Sequence, residues 1–236
     1  MHSFFVSRKN DNTFLIEESD FHHIKNVIKL NVGEQIYCIF DQEKYLCEIK
    51  DFFDNECLAE IIEIVKEDIK NITIDLYVGI IREQKWDFVL QKATELGVTN
   101  IYPVQFSRNV VKIEEKKESN KIERWTSICK DAAKQSKRNS IPNIKPIIRN
   151  VSKIDSNSQI NLVAWEEVKE EPLKALLEAE FNSISIVIGP EGGIDSKEVD
   201  ILLKKGFKKV GLGNNILRAE TASLYLISAI KYQKDI

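Results

Sequence analysis

Two segments near the C-terminus hold the residue types from which a ligand site is built. The run Ile188-Gly189-Pro190-Glu191-Gly192-Gly193-Ile194-Asp195 leaves an apolar stretch and turns sharply. Its glycines permit positive φ and let a ligand approach bare backbone N–H and C=O groups. Asp195 and Glu198 have the D-x-x-E spacing of a helix-capping box, so a helix should begin there. Taken alone, such a run is also what a tight strand-to-helix turn looks like. The second segment is Leu212-Gly213-Asn214-Asn215-Ile216-Leu217-Arg218-Ala219-Glu220-Thr221-Ala222. Its apolar pair, set between two asparagines and an Arg-x-Glu, is awkward for a surface loop. It suits a buried loop whose apolar atoms line a flat organic ligand while the backbone makes the polar contacts. Arg218 and Glu220 would then be partly buried charges, tolerable only if paired or working on a ligand. For Glu220 a structural ion pair is a standing alternative.

Other chemistries find less support. Neither segment is a Walker A loop, because no G-K-[ST] follows, and neither is a G-x-G-x-x-G dinucleotide turn. Nucleotide triphosphate hydrolysis and hydride transfer are both disfavoured. The three histidines stand at positions 2, 22 and 23, and Cys38, Cys47, Cys57 and Cys129 show no C-x-x-C spacing. That argues against a metal centre or a disulfide framework, and for free thiols in a reducing cytoplasm. No apolar run approaches the ~20 residues that cross a bilayer. The opening MHSFFVSRKNDN has no signal-peptide pattern, so the expectation is a cytoplasmic protein without a membrane partner.

The elements that must position these segments follow from periodicity. Residues 1–70 read as short strands at 4–7, 13–16, 34–40, 44–52 and 56–65, separated by polar turns such as 9–12. Tyr45, Cys47 and Ile49 alternate with Leu46, Glu48 and Lys50, the period of a strand with one buried face. A short helix, FHHIKNVIKL, capped by Ser19 or Asp20, interrupts them. Short strands at regular spacing must close or sandwich, so a small β-barrel-like module is expected. From about residue 71 strands and helices alternate. Strands are expected at 72–81, 100–106, 161–166, 183–188 and 208–212. Helices are expected near 84–96, 119–138, 172–181, 196–205 and 219–233, with Gly97 ending the first. This rhythm implies a parallel α/β sheet. Ligands bind beyond the carboxyl ends of such strands, which points to the loops at 189–195 and 213–219.

Charge adds a hint about the partner. The whole chain carries −3, yet residues 104–149 hold twelve basic residues against five acidic ones, a local +7. A field of that sign favours a polyanion and salt-dependent binding, although a charge run alone is more often a solvated helix face.

IGPEGG (188–193) and LGNNILRAETA (212–222), one βα unit apart, resemble the paired C-terminal signatures of the RsmE family of 16S ribosomal RNA uridine N3-methyltransferases. Lys85 with LQKATELGV (90–98), Ser107-Arg108 after IYPVQF, DAAKQSKRNSIPNI (131–144) and HHIKNVIKL (22–30) are similar to the family's other blocks. The similarity runs in order along essentially the whole chain. Lys29 stands where an Arg is expected, Asn215 where many members have Arg or Lys, and Lys137 where a small residue precedes Arg138.

The resemblance implies a PUA-like β-barrel RNA-binding domain over 1–70 and a SPOUT-type α/β domain with a C-terminal trefoil knot over 71–236. It implies S-adenosylmethionine as cofactor, 16S ribosomal RNA of the small subunit as substrate, and a homodimer. Cofactor contacts would come from Ala164, Trp165, Ile188, Gly189, Pro190, Gly192, Gly193, Leu212, Gly213, Ile216, Leu217, Arg218 and Thr221. No metal is implied. Uridine N3 carries a proton and is a weak nucleophile, so its Watson–Crick edge must be exposed and its imide charge stabilised. Arg218 is the expected stabiliser, and Glu191 or Glu220 the expected base. Arg8, Lys29, Arg82, Lys85, Arg108, Lys134, Gln135 and Arg138 form the expected RNA-contact set. The competing readings are a knotted RNA-binding protein, a methyltransferase acting on another RNA, and a nucleotide-dependent enzyme on a generic α/β fold.

Overall fold

The computed structural model describes residues 1–66, 72–168 and 173–234. The chain divides into two units, Met1–Ile69 with Ala133–Ser140, and Lys70–Ala132 with Ile141–Ile236. The domain boundary expected between 70 and 71 and the helix start expected at 172 lie outside the described residues.

The first unit contains β1 (Ser3–Phe5), β2 (Arg8–Asn10), β3 (Thr13–Ile16), α1 (Glu18–His22), a π-helical turn (His23–Ile28), β4 (Gln35–Phe40), β5 (Glu43–Phe53) and β6 (Glu56–Val65). The strands form one sheet in the order β1-β4-β5-β6-β3-β2. Only β1 and β4 run parallel. Tyr45, Cys47 and Ile49 of β5 are buried, as their period-two spacing predicts. They share one core with Phe4 of β1, Phe14 and Ile16 of β3, and Cys57 and Ala59 of β6. Strands from both margins of the sheet reach that core, so the sheet curls around it. Register shifts between β5 and β6, at Leu46/Cys47 and Ile49/Asp51, supply the local twist that such curling needs.

Two expectations for this unit need correction. Lys9 and Asn10, read as part of the polar turn 9–12, belong with Arg8 to edge strand β2, with Lys9 opposite Phe14. All three residues are exposed, so no apolar alternation marks them. The turn itself is confined to Asp11 and Asn12. The segment FHHIKNVIKL is also not one α-helix. Asp20 lies inside α1 rather than capping it, and bonds Lys134 Nζ through Oδ1. The π turn ends at Lys29, whose φ of 56° is left-handed.

The second unit contains β7 (Thr73–Gly79), α2 (Glu83–Glu95), β8 (Asn100–Val104), α3 (Glu118–Gln135), β9 (Asn143–Ile144), β10 (Ile160–Ala164), α4 (Leu173–Glu178), β11 (Ser183–Ile188), α5 (Ser196–Lys204), β12 (Lys208–Val210) and α6 (Ala219–Lys234). The end of α3 belongs to the first unit. The six strands form an all-parallel sheet in the order β12-β10-β11-β7-β8-β9. The two-residue β9 leaves no mark in the sequence, since Asn143 and Ile144 are too few to carry a period. Each central strand is covered on both faces, as its continuous apolar run predicts. Ile74, Leu76, Val78, Leu162, Ile184, Ile186 and Ile188 face a core shared with α2, α3, α4 and α6. Tyr77, Val163 and Val187 face the opposite core, with Val199 and Leu202 of α5. In the larger core Trp86 and Trp125 lie 5.1 Å apart between ring centroids and are almost wholly buried. Truncating either to Ala costs about 3–5 kcal/mol by the usual cavity relation. Gly97 follows α2 with φ of +94°, the left-handed stop that its position predicts.

Candidate active site

Strand β10 lies between β11 and β12, so three carboxyl ends sit side by side at one margin of the parallel sheet. The segments leaving them converge on a cleft of about 690 Å³ measured to its open mouth. From β10 come Ala164, Trp165 and Glu166; from the loop after β11, Ile188, Gly189, Pro190, Gly193 and Ile194. The loop after β12 supplies Leu212, Gly213, Asn214, Asn215, Ile216 and Leu217, and α6 supplies Ala219 and Ala222.

Local chemistry explains why these loops hold their shape. The Gly193 N–H donates to the Pro190 carbonyl at 2.9 Å, and φ of +71° at Gly193 closes the turn. Asp195 then caps α5: its Oδ1 accepts from the Lys197 N–H, while Glu198 Oε2 accepts from the Asp195 N–H. The capping box read from D-x-x-E is therefore present in full. The Lys197 N–H and the Arg108 guanidinium both favour the ionised form, and they hold the Asp195 carboxyl below its usual range. Across the cleft, a Cβ at Gly211 would stand 2.0 Å from the Val168 carbonyl oxygen, so only glycine lets these two backbones pass.

A second clamp arrives from the loop after β8. Ser107 donates its N–H to Glu198 Oε1 at 2.9 Å and its hydroxyl to Glu198 Oε2 at 2.8 Å. Arg108 Nη2 donates to Asp195 Oδ2 at 3.0 Å. Gly192 packs so closely on this loop that a Cβ there would lie 2.7 Å from the Arg108 carbonyl oxygen. Within the loop, the buried Asn109 accepts from the Phe106 N–H and donates to the Ile80 carbonyl. The Ser107-Arg108 pair thus braces the cleft loop from outside.

Ten of the thirteen residues expected at a cofactor line the cleft: Ala164, Trp165, Ile188, Gly189, Pro190, Gly193, Leu212, Gly213, Ile216 and Leu217. The other three, Gly192, Arg218 and Thr221, are exposed beside it. Sequence reasoning passes over Glu166, Ile194, Asn214, Asn215, Ala219 and Ala222 as individual contacts. The last two carry a signal, being small residues three apart on one helix face.

The expected catalytic side chains differ in their surroundings. Arg218 is exposed and has no ion-pair partner among the described residues. Glu191 is exposed and accepts the Arg82 N–H at 3.3 Å. Glu220 is different: its side chain is 14% exposed, Oε1 lies 3.2 Å from Lys85 Nζ, and buried Oε2 has no hydrogen-bond partner. The ion-pair reading of Glu220 is therefore the one realised.

The expected RNA-contact residues fall in both units. In the first, Arg8 pairs with Glu17 and Glu56, Lys29 is exposed, and Lys134 pairs with the buried Asp20. Gln135 is exposed, and Arg138 Nη2 donates to the Ser140 hydroxyl. In the second, Arg82 is exposed, while Lys85 and Arg108 are engaged with Glu220 and Asp195. The basic run is partly neutralised: Lys121 and Arg124 reach Glu83, Arg124 also reaches Asp87, and Arg149 reaches Glu118. Among the described residues no group of three or more His, Cys, Asp or Glu is placed to hold a metal ion, and no helix is long and apolar enough to cross a membrane. All four cysteines are buried free thiols.

Comparison with known proteins fits this geometry. Residues 68–231 match the RNA methyltransferase domain family, and residues 16–62 match the RNA methyltransferase PUA domain. The Ribosomal RNA small subunit methyltransferase E of Bacillus subtilis is 35% identical, over 95% of this chain and 91% of that one. Its namesake from Mesomycoplasma hyopneumoniae is also 35% identical, over 97% and 98%. A crystal structure of the Neisseria gonorrhoeae Ribosomal RNA small subunit methyltransferase E bound to S-adenosyl methionine superposes with a TM-score of 0.86 at 28% identity, covering 98% of this chain and 97% of that one. The cleft, the loops that build it and these matches along nearly the whole length together show that the chain belongs to the RNA methyltransferase family, among the Ribosomal RNA small subunit methyltransferase E proteins.

Proposed function

We propose that the chain is an S-adenosylmethionine-dependent methyltransferase that modifies N3 of a uridine in 16S ribosomal RNA of the small subunit. The observation that carries this reading is the cleft across the ends of β10, β11 and β12. Its walls are apolar at Ile188, Leu212, Ile216 and Leu217, while its rims are bare loop backbone at Gly189, Gly193 and Gly213. A flat purine with polar edges fits such a lining. Bound there, the cofactor supplies an electrophilic methyl group.

The chain's own residues do the rest. Arg218 offers an exposed, unpaired guanidinium to the charge that develops on the uracil carbonyls as N3 loses its proton. Such preorganised charge contributes on the order of 10²–10³-fold in comparable sites. Glu191, exposed and held by the Arg82 N–H, takes that proton. Glu220 is assigned an anchoring role instead, because Lys85 already occupies its accessible oxygen. Lys29 and Gln135 on the first unit and Arg82 on the second are the exposed members of the RNA set that make no ion pair among the described residues.

The same reading includes a trefoil knot through the cleft loops, a cytoplasmic location and a homodimer. Thr221, Tyr225, Ser228 and Tyr232 form one exposed stripe along α6, and Ile216 before it is 80% exposed. Two exposed tyrosines flanked by hydroxyl side chains, with an exposed isoleucine before them, suit a self-complementary interface. Calorimetry with S-adenosylmethionine tests the reading: the purified chain binds it, and Arg218→Ala keeps binding while losing turnover. Equal loss of both would remove Arg218 from the chemistry. No binding by the parent chain would favour a knotted RNA-binding protein without catalysis.

A further inference from the structure

Of all the described residues that line the cleft, Glu166 alone carries an ionisable side chain. It is exposed, with no hydrogen bond or ion pair among the described residues. Its Oε1 lies 4.0 Å from the point where a Cβ on Gly193 would stand, so it overhangs the turn after β11. Its neighbours are committed elsewhere. Trp165 donates its indole N–H to Glu167 Oε2 at 3.3 Å, and Lys209 Nζ lies 5.5 Å from the Trp165 ring centroid. A lone carboxylate over an apolar cleft is poorly matched to a neutral or anionic ligand. It is well matched to a cation, because the apolar walls reduce the screening of their attraction.

We infer that Glu166 is the counter-charge to a positive centre of the cationic methyl donor. This assignment rests on the proposed reading of the cleft as the S-adenosylmethionine site. That donor carries two positive centres, the sulfonium and the α-ammonium. Its demethylated product keeps the ammonium and has a neutral thioether. A carboxylate at the sulfonium therefore favours donor over product and eases product release, whereas one at the ammonium holds both alike.

Calorimetric titration of the full chain with S-adenosylmethionine and with S-adenosylhomocysteine separates these cases. Glu166→Gln weakens S-adenosylmethionine binding about tenfold, the scale of a single charge-assisted interaction at a solvent-facing site, and leaves the thermal midpoint unchanged. Weakening confined to the methylated ligand assigns Glu166 to the sulfonium, and weakening shared by both ligands assigns it to the ammonium. Undiminished S-adenosylmethionine affinity in Glu166→Gln overturns the inference. Failure of the parent chain to bind either ligand contradicts the reading of the cleft itself, a result visible before any variant is compared.

Discussion

Lys85 Nζ lies 3.2 Å from Glu220 Oε1, joining the first turn of α2 to the first turn of α6 across 135 residues of chain. Further along, a Cβ at Gly97 would sit 3.4 Å from Lys231 Cε, so the two helices lie alongside each other and run the same way. Ala219 and Ala222, which line the cleft, are carried on the turn that this ion pair anchors. The second oxygen of Glu220 is buried without a partner, so Lys85 is the group that offsets its desolvation.

Removing Lys85 therefore strands a mostly buried carboxylate. Lys85→Met should lower stability by ~1–3 kcal/mol, whereas Lys85→Met with Glu220→Gln should recover most of the loss, because neither side of the pair is then left charged. Denaturant unfolding of the parent, both single variants and the double variant measures the coupling. Additive losses would show that the pair contributes nothing of its own.

Arg108 braces the cleft through Asp195. Arg108→Ala should change global stability little, since exposed pairs are worth ~0–1 kcal/mol, yet loosen the loop that carries Pro190 and Gly193. The expected result is weaker S-adenosylmethionine binding with an unchanged salt slope for RNA. A slope reduced by about one, with cofactor affinity intact, would instead put Arg108 on a phosphate.

Asp75 gives a pH-dependent prediction. Burial raises its carboxyl above the ordinary 3.8, and the opposing pull of the Asn100 amide, 2.6 Å away, does not cancel the shift. A raised folded-state value means that its contribution is complete below about pH 4 and is lost as pH climbs through the folded value. Asp75→Asn should match the parent in acid and exceed it at neutral pH. Denaturant midpoints at the two pH values test the sign, and a variant less stable at neutral pH would refute it.

What is legible in the sequence and what is hidden divide by distance along the chain. The Asp195–Glu198 cap, the stop at Gly97, the period-two face of β5 and both cleft loops are local patterns, and each can be read from neighbouring residues. The Lys85–Glu220 and Arg108–Asp195 pairs span 135 and 87 residues. In sequence their cations are expected RNA contacts, and no neighbouring residue shows that the charge is also engaged in an ion pair. Strand β2 hides for another reason, since an exposed edge strand of Arg8, Lys9 and Asn10 needs no apolar residue. The π turn hides because the helical spacing of its apolar residues resembles that of an ordinary helix. Lys137, where a small residue is expected, adopts φ of 58°, which explains why a residue without a Cβ would suit that position.

The most direct test of the central claim is methylation of small ribosomal subunits taken from cells that lack the modification, using labelled S-adenosylmethionine and reading the nucleosides by mass spectrometry. The account predicts labelled 3-methyluridine in 16S ribosomal RNA, abolished when Arg218 is replaced by Ala. Label in another nucleoside, or none at all while the cofactor still binds, would contradict it.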